Sequence, residues 1–172
     1  VEVVCEYLSA HKIVNSHFHG GMEQHHRESA LSRFRNGSIN ILVTTDLGAR
    51  GLDIPEVKNV IHFQLPPKQD TFIHRNGRTA RMTATGTAFL LLSKGDTIPE
   101  YLEKQPETVE LKGPFRNPSK PVWETLYIGA GKKDKVNKVD VAGFLMKQGS
   151  LLKDEVGLIE IKDDCAYVAV KR

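Results

Sequence analysis

Three arginines, Arg75, Arg78 and Arg81, are the residues whose types and spacing point most directly to chemistry. They are three positions apart, so on a helix or tight helical turn neighbouring guanidinium groups lie on one side. A guanidinium is permanently charged, and its planar fork fits phosphate oxygens. Three converging forks repel one another unless an anion lies between them. The spacing points to a polyphosphate or a nucleic-acid backbone as ligand, but for such an octapeptide alone a basic helix face in water is the favoured interpretation, and a second motif changes this weighing.

A second segment that could bind a ligand is TTDLGARGLD at residues 44–53. It follows the apolar run 39–43, which predicts a buried strand. Open α/β sheets bind ligands beyond the carboxyl ends of their strands, which is where this segment falls. Asp53 could accept from a ribose hydroxyl or hold an arginine, and Gly48 and Gly51 let the backbone approach a ligand closely. Taken alone, the segment is equally consistent with a strand–loop junction and a capping aspartate.

Both segments belong to a longer series of motifs. HG at residues 19–20, QHHR at 24–27 and FRNG at 34–37 precede TTDLGARGLD and HRNGRTAR. In order and spacing the series resembles the second RecA-like domain of DEAD-box ATP-dependent RNA helicases, over residues 1–93. The resemblance implies an α/β fold with a RecA-like parallel sheet and helices on both faces, here without its first strand.

The resemblance assigns residues of both segments to an ATP site. Arg78 and Arg81 match arginine fingers that reach ATP held by the first RecA-like domain of the same protein. His74 matches a residue that links the ATP site to the domain interface, whereas for Arg75 a purely structural role is an equal alternative. The ATP would carry Mg²⁺, whose ligands are expected in the first domain, and no metal ligand is predicted in this chain. The residues assigned to the nucleotide are Gly51, Asp53, Arg78 and Arg81.

The resemblance also assigns a face to single-stranded RNA. Backbone amides and a hydroxyl suit contacts to the sugar-phosphate backbone, which carry no base sequence. The residues assigned to this face are Gly20, Gln24, Arg27, Thr45 and Arg50. For Gln24 and Arg27 a solvated helix face is the alternative.

Alternating periodicities predict the elements that hold these motifs. Helices are predicted over residues 1–9, 22–35 and 70–79, the last with Asp70 as its N-cap. Strands are predicted over residues 12–18, 39–44, 60–63 and 87–92. Because strands alternate with helices, the sheet should be parallel and covered on both faces. Several prolines then predict a connector over residues 94–122.

A second unit is predicted to begin near Trp123. It reads as a strand, a loop rich in glycine and lysine, a helix and two strands, over residues 125–128, 129–135, 138–147, 158–161 and 167–170. This β-α-β-β order is the first part of a ferredoxin-like fold, as in RNA-recognition modules. Residues 122–172 resemble the C-terminal RNA-binding domain of DbpA-like DEAD-box helicases, and the last helix and strand of that small α+β domain would lie beyond the chain.

This second resemblance implies binding to a structured RNA, with ribosomal RNA as the expected target and ribosome biogenesis as the setting. Lys132, Lys133 and Lys135 could bind RNA phosphates, and each neutralised phosphate would steepen the salt dependence of binding. Tyr167 lies where RNA-recognition modules often place an aromatic ring that stacks on a base. The equal alternative is that Tyr167 packs against Trp123 or the missing helix.

Composition sets limits on the function. The net charge of +3 is too small to establish a nucleic-acid partner. No apolar run approaches the length of a membrane span and no basic leader opens the chain, so no membrane contact is expected. Cys5 and Cys165 lack partners at metal spacing and fit reduced thiols of a cytoplasmic protein.

Together these features predict part of an ATP-dependent RNA helicase, with a helicase domain over 1–93, the connector over 94–122 and a partial RNA-binding domain over 123–172. A phosphate loop and an Asp-Glu-Ala-Asp segment are absent from the sequence. The chain is therefore expected to be a piece of a longer protein and to be inactive as an ATPase by itself. The alternatives are a DNA helicase or translocase half and a non-enzymatic RNA-binding module.

Overall fold

The structure, a computed structural model of the 172-residue chain, describes residues 1–46, 57–77, 86–102 and 104–172. In chain order its helices and strands are α1 (Glu2–Ala10), β1 (Asn15–Phe18), α2 (Gln24–Arg35), β2 (Ile41–Thr44), β3 (Asn59–His62), α3 (Gln69–Asn76), β4 (Thr87–Leu90), β5 (Trp123–Ile128), α4 (Lys138–Lys147), β6 (Val156–Ile161) and β7 (Ala166–Lys171). Among these described helices, none combines the length and apolar character needed to cross a membrane.

The chain contacts form two compact units, residues 1–45 with 117–172 and residues 46–116. These units are defined by contacts between residues. The predicted boundaries at residues 93 and 122 separate regions of the sequence with different motifs, and the units do not test them. The predicted division into domains therefore stays a prediction. Each unit contains one parallel strand pair, and within each pair a helix lies between the two strands in the chain.

In the first unit β1 and β2 pair in parallel, with Asn15 opposite Ile41 and Phe18 opposite Thr44. Helix α2 connects them, because a parallel pair needs a long crossover. Gly37 follows α2 with a φ of +75°, a left-handed conformation that suits glycine and ends the helix. The predicted β-α-β unit and the glycine stop are confirmed.

In the second unit β3 and β4 also pair in parallel, with Asn59 opposite Thr87. Helix α3 lies between them in the chain and begins at Gln69, with Lys68 at its N-cap. The prediction of Asp70 as N-cap is therefore wrong. Asp70 lies in the first turn of α3, where its negative charge interacts favourably with the positive end of the helix dipole and stabilises the helix.

The C-terminal strands of the first unit form an antiparallel sheet in the order β5-β7-β6, with α4 packed on one face. Strands β5 and β6 flank β7, which is the split arrangement of ferredoxin-like folds. Asn137 caps α4 by accepting from the backbone amides of Val139 and Asp140. The apolar core between α4 and the sheet contains Val141, Leu145, Ile159, Ala166 and Val168. The likeness to RNA-recognition modules stays a prediction.

The other face of this sheet is covered by the end of α2 and the turn that follows it. Ser32 Oγ donates to Glu160 Oε2 at 2.8 Å, and Asn36 Nδ2 donates to Thr125 Oγ1 at 2.8 Å. Ser32 and Asn36 are both buried, so these hydrogen bonds satisfy polar groups that would otherwise be costly. The sheet is therefore packed on both faces.

Candidate functional site

Five residues assigned to the nucleotide and RNA sites lie outside the described residues. They are Arg50, Gly51, Asp53, Arg78 and Arg81. Their roles stay predictions. His74, the remaining residue of the predicted ATP site, lies exposed in the last turn of α3.

Arg75 holds three parts of the second unit together. Its Nη2 donates to Asp46 Oδ2 at 2.8 Å while Nε donates to Asp46 Oδ1, which makes a two-pronged ion pair. Its Nη1 donates to the backbone oxygen of Gln64 at 2.8 Å. Asp46 comes directly after the TT of the TTDLGARGLD motif, so Arg75 joins that motif to α3 and to the chain beyond β3. Of the two roles left open for Arg75, the structure supports the structural one.

His62 and Asn76 form a part-buried contact that the sequence did not predict. His62, at the end of β3, is 1% exposed, and its Nε2 lies 2.9 Å from Asn76 Oδ1. Its Nδ1 lies 3.4 Å from Nη1 of Arg75. Burial is the largest effect and lowers the pKa of His62 below 6.5, against the raising effect of the hydrogen bond with Asn76; the charges of Arg75 and Asp46 have smaller, opposite effects. A polar residue in the apolar run 60–63 was the available sequence signal.

Three residues assigned to single-stranded RNA lie at one edge of the first parallel pair. Gly20 follows β1 and Thr45 follows β2, and these strands end side by side with Phe18 opposite Thr44. Gln24 begins α2, which leaves from the same edge. Gly20, Thr45 and Gln24 are exposed. The structure therefore places them together beyond the carboxyl ends of parallel strands, where α/β folds bind ligands.

Arg27 lies one turn further along α2 and is partly buried. Its Nε is buried and makes no hydrogen bond to any described residue. A buried guanidinium nitrogen without an acceptor is costly, so an incoming anion or polar group would be favoured there. Gln24 Nε2 donates to Glu28 Oε1 at 2.7 Å, so this side chain is held within α2.

The lysine-rich loop between β5 and α4 is partly neutralised by its neighbours. Lys133 Nζ lies 2.7 Å from Asp164, whose hydrogen bond and charge raise the pKa of Lys133. Lys132 Nζ lies 3.8 Å from Asp163. Lys135 is exposed and ends the short turn Lys132–Asp134 in a left-handed conformation, with a φ of 60°. The lysines remain accessible to RNA, but local acids offset much of their positive charge.

Tyr167 is placed differently from the predicted stacking residue. It is 4% exposed and lies opposite Tyr127 on β5, with the two ring centroids 5.6 Å apart. Burial raises the pKa of its hydroxyl to about 12, with further raising effects from Cys165, Glu28 and Tyr127. A base cannot reach the ring in this arrangement. The physical reason is that α2 covers this face of the sheet, so the ring is packed, here against Tyr127.

Within the described part of the chain, two groups of histidine and glutamate have ligand atoms close together, Glu2 with His17 and His19, and Glu23 with His25 and His26. In the first group the amide of Gly21 donates to His19 Nδ1 at 3.2 Å, which places the proton of a neutral ring on Nε2. That Nε2 faces Glu2 at 3.2 Å and has no lone pair left for a metal. The second group is fully exposed at the start of α2. Neither group argues for a metal site.

Comparison with known proteins agrees with this fold and these motifs. Residues 1–83 match the Helicase conserved C-terminal domain, and residues 125–172 match the DbpA RNA binding domain. The crystal structure of the Escherichia coli DEAD-box protein SrmB, bound to regulator of ribonuclease activity A, is similar with a TM-score of 0.60 and 35% identity, over 70% of this chain and 75% of that one.

Curated relatives have the same two regions in one chain. The ATP-dependent RNA helicase DbpA of Bacillus subtilis is 30% identical over 88% of this chain and 38% of its own length. The Escherichia coli DbpA helicase is 33% identical over 99% of this chain and 39% of its own length. The chain therefore spans about two fifths of the length of these relatives. The parallel β-α-β units and the motifs define a RecA-like helicase domain, and the chain belongs to the DEAD-box RNA helicase family.

Proposed function

We propose that this chain is the part of an ATP-dependent RNA helicase that completes the ATP site and carries a second, RNA-tethering domain. The observation that carries the proposal is the presence of a helicase C-terminal domain and a DbpA RNA-binding domain in one chain, as in the DbpA helicases. Together, the two domains fit an enzyme that couples ATP hydrolysis to RNA rearrangement.

At the ATP site, Arg78 and Arg81 stabilise the negative charge that develops on the transferred phosphate, and Asp53 and Gly51 lie at the nucleotide. An arginine finger is worth roughly 10³- to 10⁵-fold in rate. ATP and its Mg²⁺ are held by the first RecA-like domain of the same protein. The guanidinium forks suit phosphate oxygens, whereas Mg²⁺ requires oxygen ligands that the first domain supplies. The Arg75–Asp46 ion pair supports this proposal because it anchors the helix that leads towards Arg78.

At the RNA face, the edge formed by Gly20, Gln24 and Thr45 binds the sugar-phosphate backbone of a single strand, and Arg27 and Arg50 contribute further contacts to it. The exposure of the first three residues at the carboxyl ends of β1 and β2 supports this role. Contacts to phosphate and sugar position the strand without reading its bases.

The DbpA domain tethers the enzyme to a structured RNA, with ribosomal RNA as the proposed target, ribosome biogenesis as the setting and the cytoplasm as the location. Lys132, Lys133 and Lys135 contribute phosphate contacts. Tethering raises the local concentration of nearby duplexes and so increases unwinding without new contacts to them. Tyr167 contributes stacking only if α2 leaves the sheet.

The proposal is tested by ATP hydrolysis of the full-length protein with matched RNA and DNA. We expect turnover to be stimulated by single-stranded RNA and not by DNA of the same sequence, because the 2′-hydroxyl distinguishes the two. Equal stimulation by both would support a DNA translocase instead. Tight RNA binding without any hydrolysis would support a non-enzymatic RNA-binding module.

A further inference from the structure

The end of α3 is secured by side chains and not by an apolar core. No residue of α3 is buried, and Ile73 is exposed. The helix ends at Asn76, two residues before Arg78 in the sequence, and its last turn makes the charged and polar contacts of Arg75 and Asn76 described above. A helix end without buried apolar residues frays easily unless other contacts hold it. Contacts that secure Asn76 therefore secure the last helical residue of α3.

His62 contacts α3 at two positions one turn apart. Its ring stacks on Phe72 with centroids 4.9 Å apart, and its Nε2 lies 2.9 Å from Asn76 Oδ1. Positions four apart lie on one face of a helix, so a single buried ring holds both. Phe72 also contacts the ring of Tyr101, whose hydroxyl donates to the backbone oxygen of Pro66 at 2.6 Å.

The polar contacts of His62 are mutually consistent for a neutral ring. Arg75 can only donate, so the Nδ1 that faces it must accept. The ring proton is then on Nε2, which donates to the carbonyl oxygen of Asn76. A lowered pKa of His62, caused first by its burial, keeps the ring in this neutral form. Among the described residues, the charged groups that act on the ring are Arg75 from α3 and Asp46 from beyond β2.

We propose that His62 and Asn76 are a positioning pair, whose part-buried hydrogen bond fixes the end of α3 and thereby the placement of Arg78 at the ATP site. The inference rests on the proposed function for its effect on catalysis. The pair is assigned a positioning role and no direct part in the chemistry. It acts by holding the helix from which the finger segment begins, in parallel with the Arg75–Asp46 ion pair.

The first test is a double-mutant cycle on this 172-residue chain, followed by chemical unfolding. Asn76→Leu keeps the size of the side chain but leaves the Nε2–H of His62 buried without an acceptor. His62→Phe keeps the ring that stacks on Phe72 and removes both ring nitrogens. Since replacing both partners by apolar groups can be nearly neutral, the double variant should be less destabilised than the sum of the two single variants. Additive effects would overturn the pairing.

The second test uses ATP hydrolysis by the full-length protein. We expect Asn76→Leu to lower kcat roughly 10- to 100-fold, the scale of a small misplacement of a catalytic group, with little change in the KM for ATP. The double variant should recover most of this loss. Asn59→Leu, an exposed position at the start of the same strand, is the matched control and should leave kcat unchanged.

Arg78→Ala separates this inference from the function on which it rests. If Arg78→Ala leaves hydrolysis intact, the assignment of Arg78 as an arginine finger fails. The double-mutant cycle still tests the interaction between His62 and Asn76 in that case. If Arg78→Ala abolishes hydrolysis while Asn76→Leu leaves kcat unchanged, the positioning role is contradicted. Should Asn76→Leu fail to fold, the double variant decides: a folded, active double variant supports the pair, and an unfolded one overturns it.

Discussion

Arg75 shows how much a single side chain contributes to the order of the second unit. Its guanidinium makes two hydrogen bonds to Asp46 and one to the backbone oxygen of Gln64. The spacing of the arginines predicted which side of a helix Arg75 occupies, but not its partner, because Asp46 is 29 positions away in the sequence. Its basic neighbours made a ligand and a structural role equally plausible, and only the tertiary contact distinguishes them.

We predict that Arg75→Lys destabilises the chain by about 1–3 kcal/mol, because an ammonium cannot make the two-pronged contact with Asp46. The free energy of unfolding measured with a chemical denaturant checks this. Arg116→Lys, an exposed position, is the control and should stay within about 0.5 kcal/mol of the parent chain. Equal stability of the two variants would contradict the structural role of Arg75.

At the scale of elements, the local periodicity of apolar residues was enough to predict the helices and strands, because that pattern lies within the residues of each element. The docking of α2 on the sheet β5-β7-β6 could not be predicted in this way. The docking depends on hydrogen-bonded pairs such as Ser32 and Glu160, which are 128 positions apart in the sequence. The residues of α2 in these pairs are small and polar, as at the ends of many helices, so they do not indicate a docking surface. The burial of Tyr167 follows from that docking. The sequence therefore predicted the strand of Tyr167 but not the exposure of its ring.

Glu160 makes this docking dependent on pH. Burial raises its pKa, but the hydrogen bond from Ser32 and the charges of Arg35 and Lys162 outweigh burial and hold the pKa below 4.5. A lowered pKa means that the unfolded chain binds more protons, so this contribution to stability is complete above about pH 4.5 and is lost as the pH falls through the lower folded value.

We predict that Glu160→Gln flattens the acid side of the curve of unfolding free energy against pH, because the group that titrates is gone. Glu110→Gln, at an exposed glutamate paired with Lys112, is the control and should leave the curve unchanged. Unfolding monitored from neutral pH down to acid measures both. If the unfolding free energy of the Glu160 variant had the same pH dependence as that of the parent chain, the described contact between α2 and Glu160 would be contradicted.

Two glycines of the C-terminal sheet region should respond oppositely to alanine. A Cβ at Gly131 would lie 2.5 Å from the backbone oxygen of Lys162 and 2.6 Å from that of Asp163, so the loop that carries the lysines must shift. A Cβ at Gly143, within α4, meets nothing within 4 Å.

We therefore predict that Gly131→Ala destabilises the chain by about 1–3 kcal/mol, the usual cost of overpacking, and weakens RNA binding through the displaced loop. Gly143→Ala should stabilise it by about 0.5–1 kcal/mol, because alanine favours a helix over glycine. Thermal unfolding and RNA titration measure the two effects. Similar behaviour of the two variants would show that the loop is not packed as described.

At the scale of the whole molecule, the chain combines a helicase domain with an RNA-binding domain but spans only about two fifths of its curated relatives. We predict that the 172-residue chain alone binds structured RNA, with an affinity that falls as salt rises, and shows no RNA-stimulated ATP hydrolysis. Filter binding and a phosphate-release assay check the two parts. Robust hydrolysis by the isolated chain would contradict the need for a first RecA-like domain.

The most direct test of the central claim is the single-turnover rate of ATP cleavage by the full-length protein carrying Arg78→Ala, measured with saturating RNA. If this chain supplies the arginine finger, the rate should fall roughly 10³-fold or more while the affinity for RNA stays close to that of the parent. Arg116→Ala should leave both quantities unchanged. A cleavage rate that survives the loss of Arg78 would contradict the account.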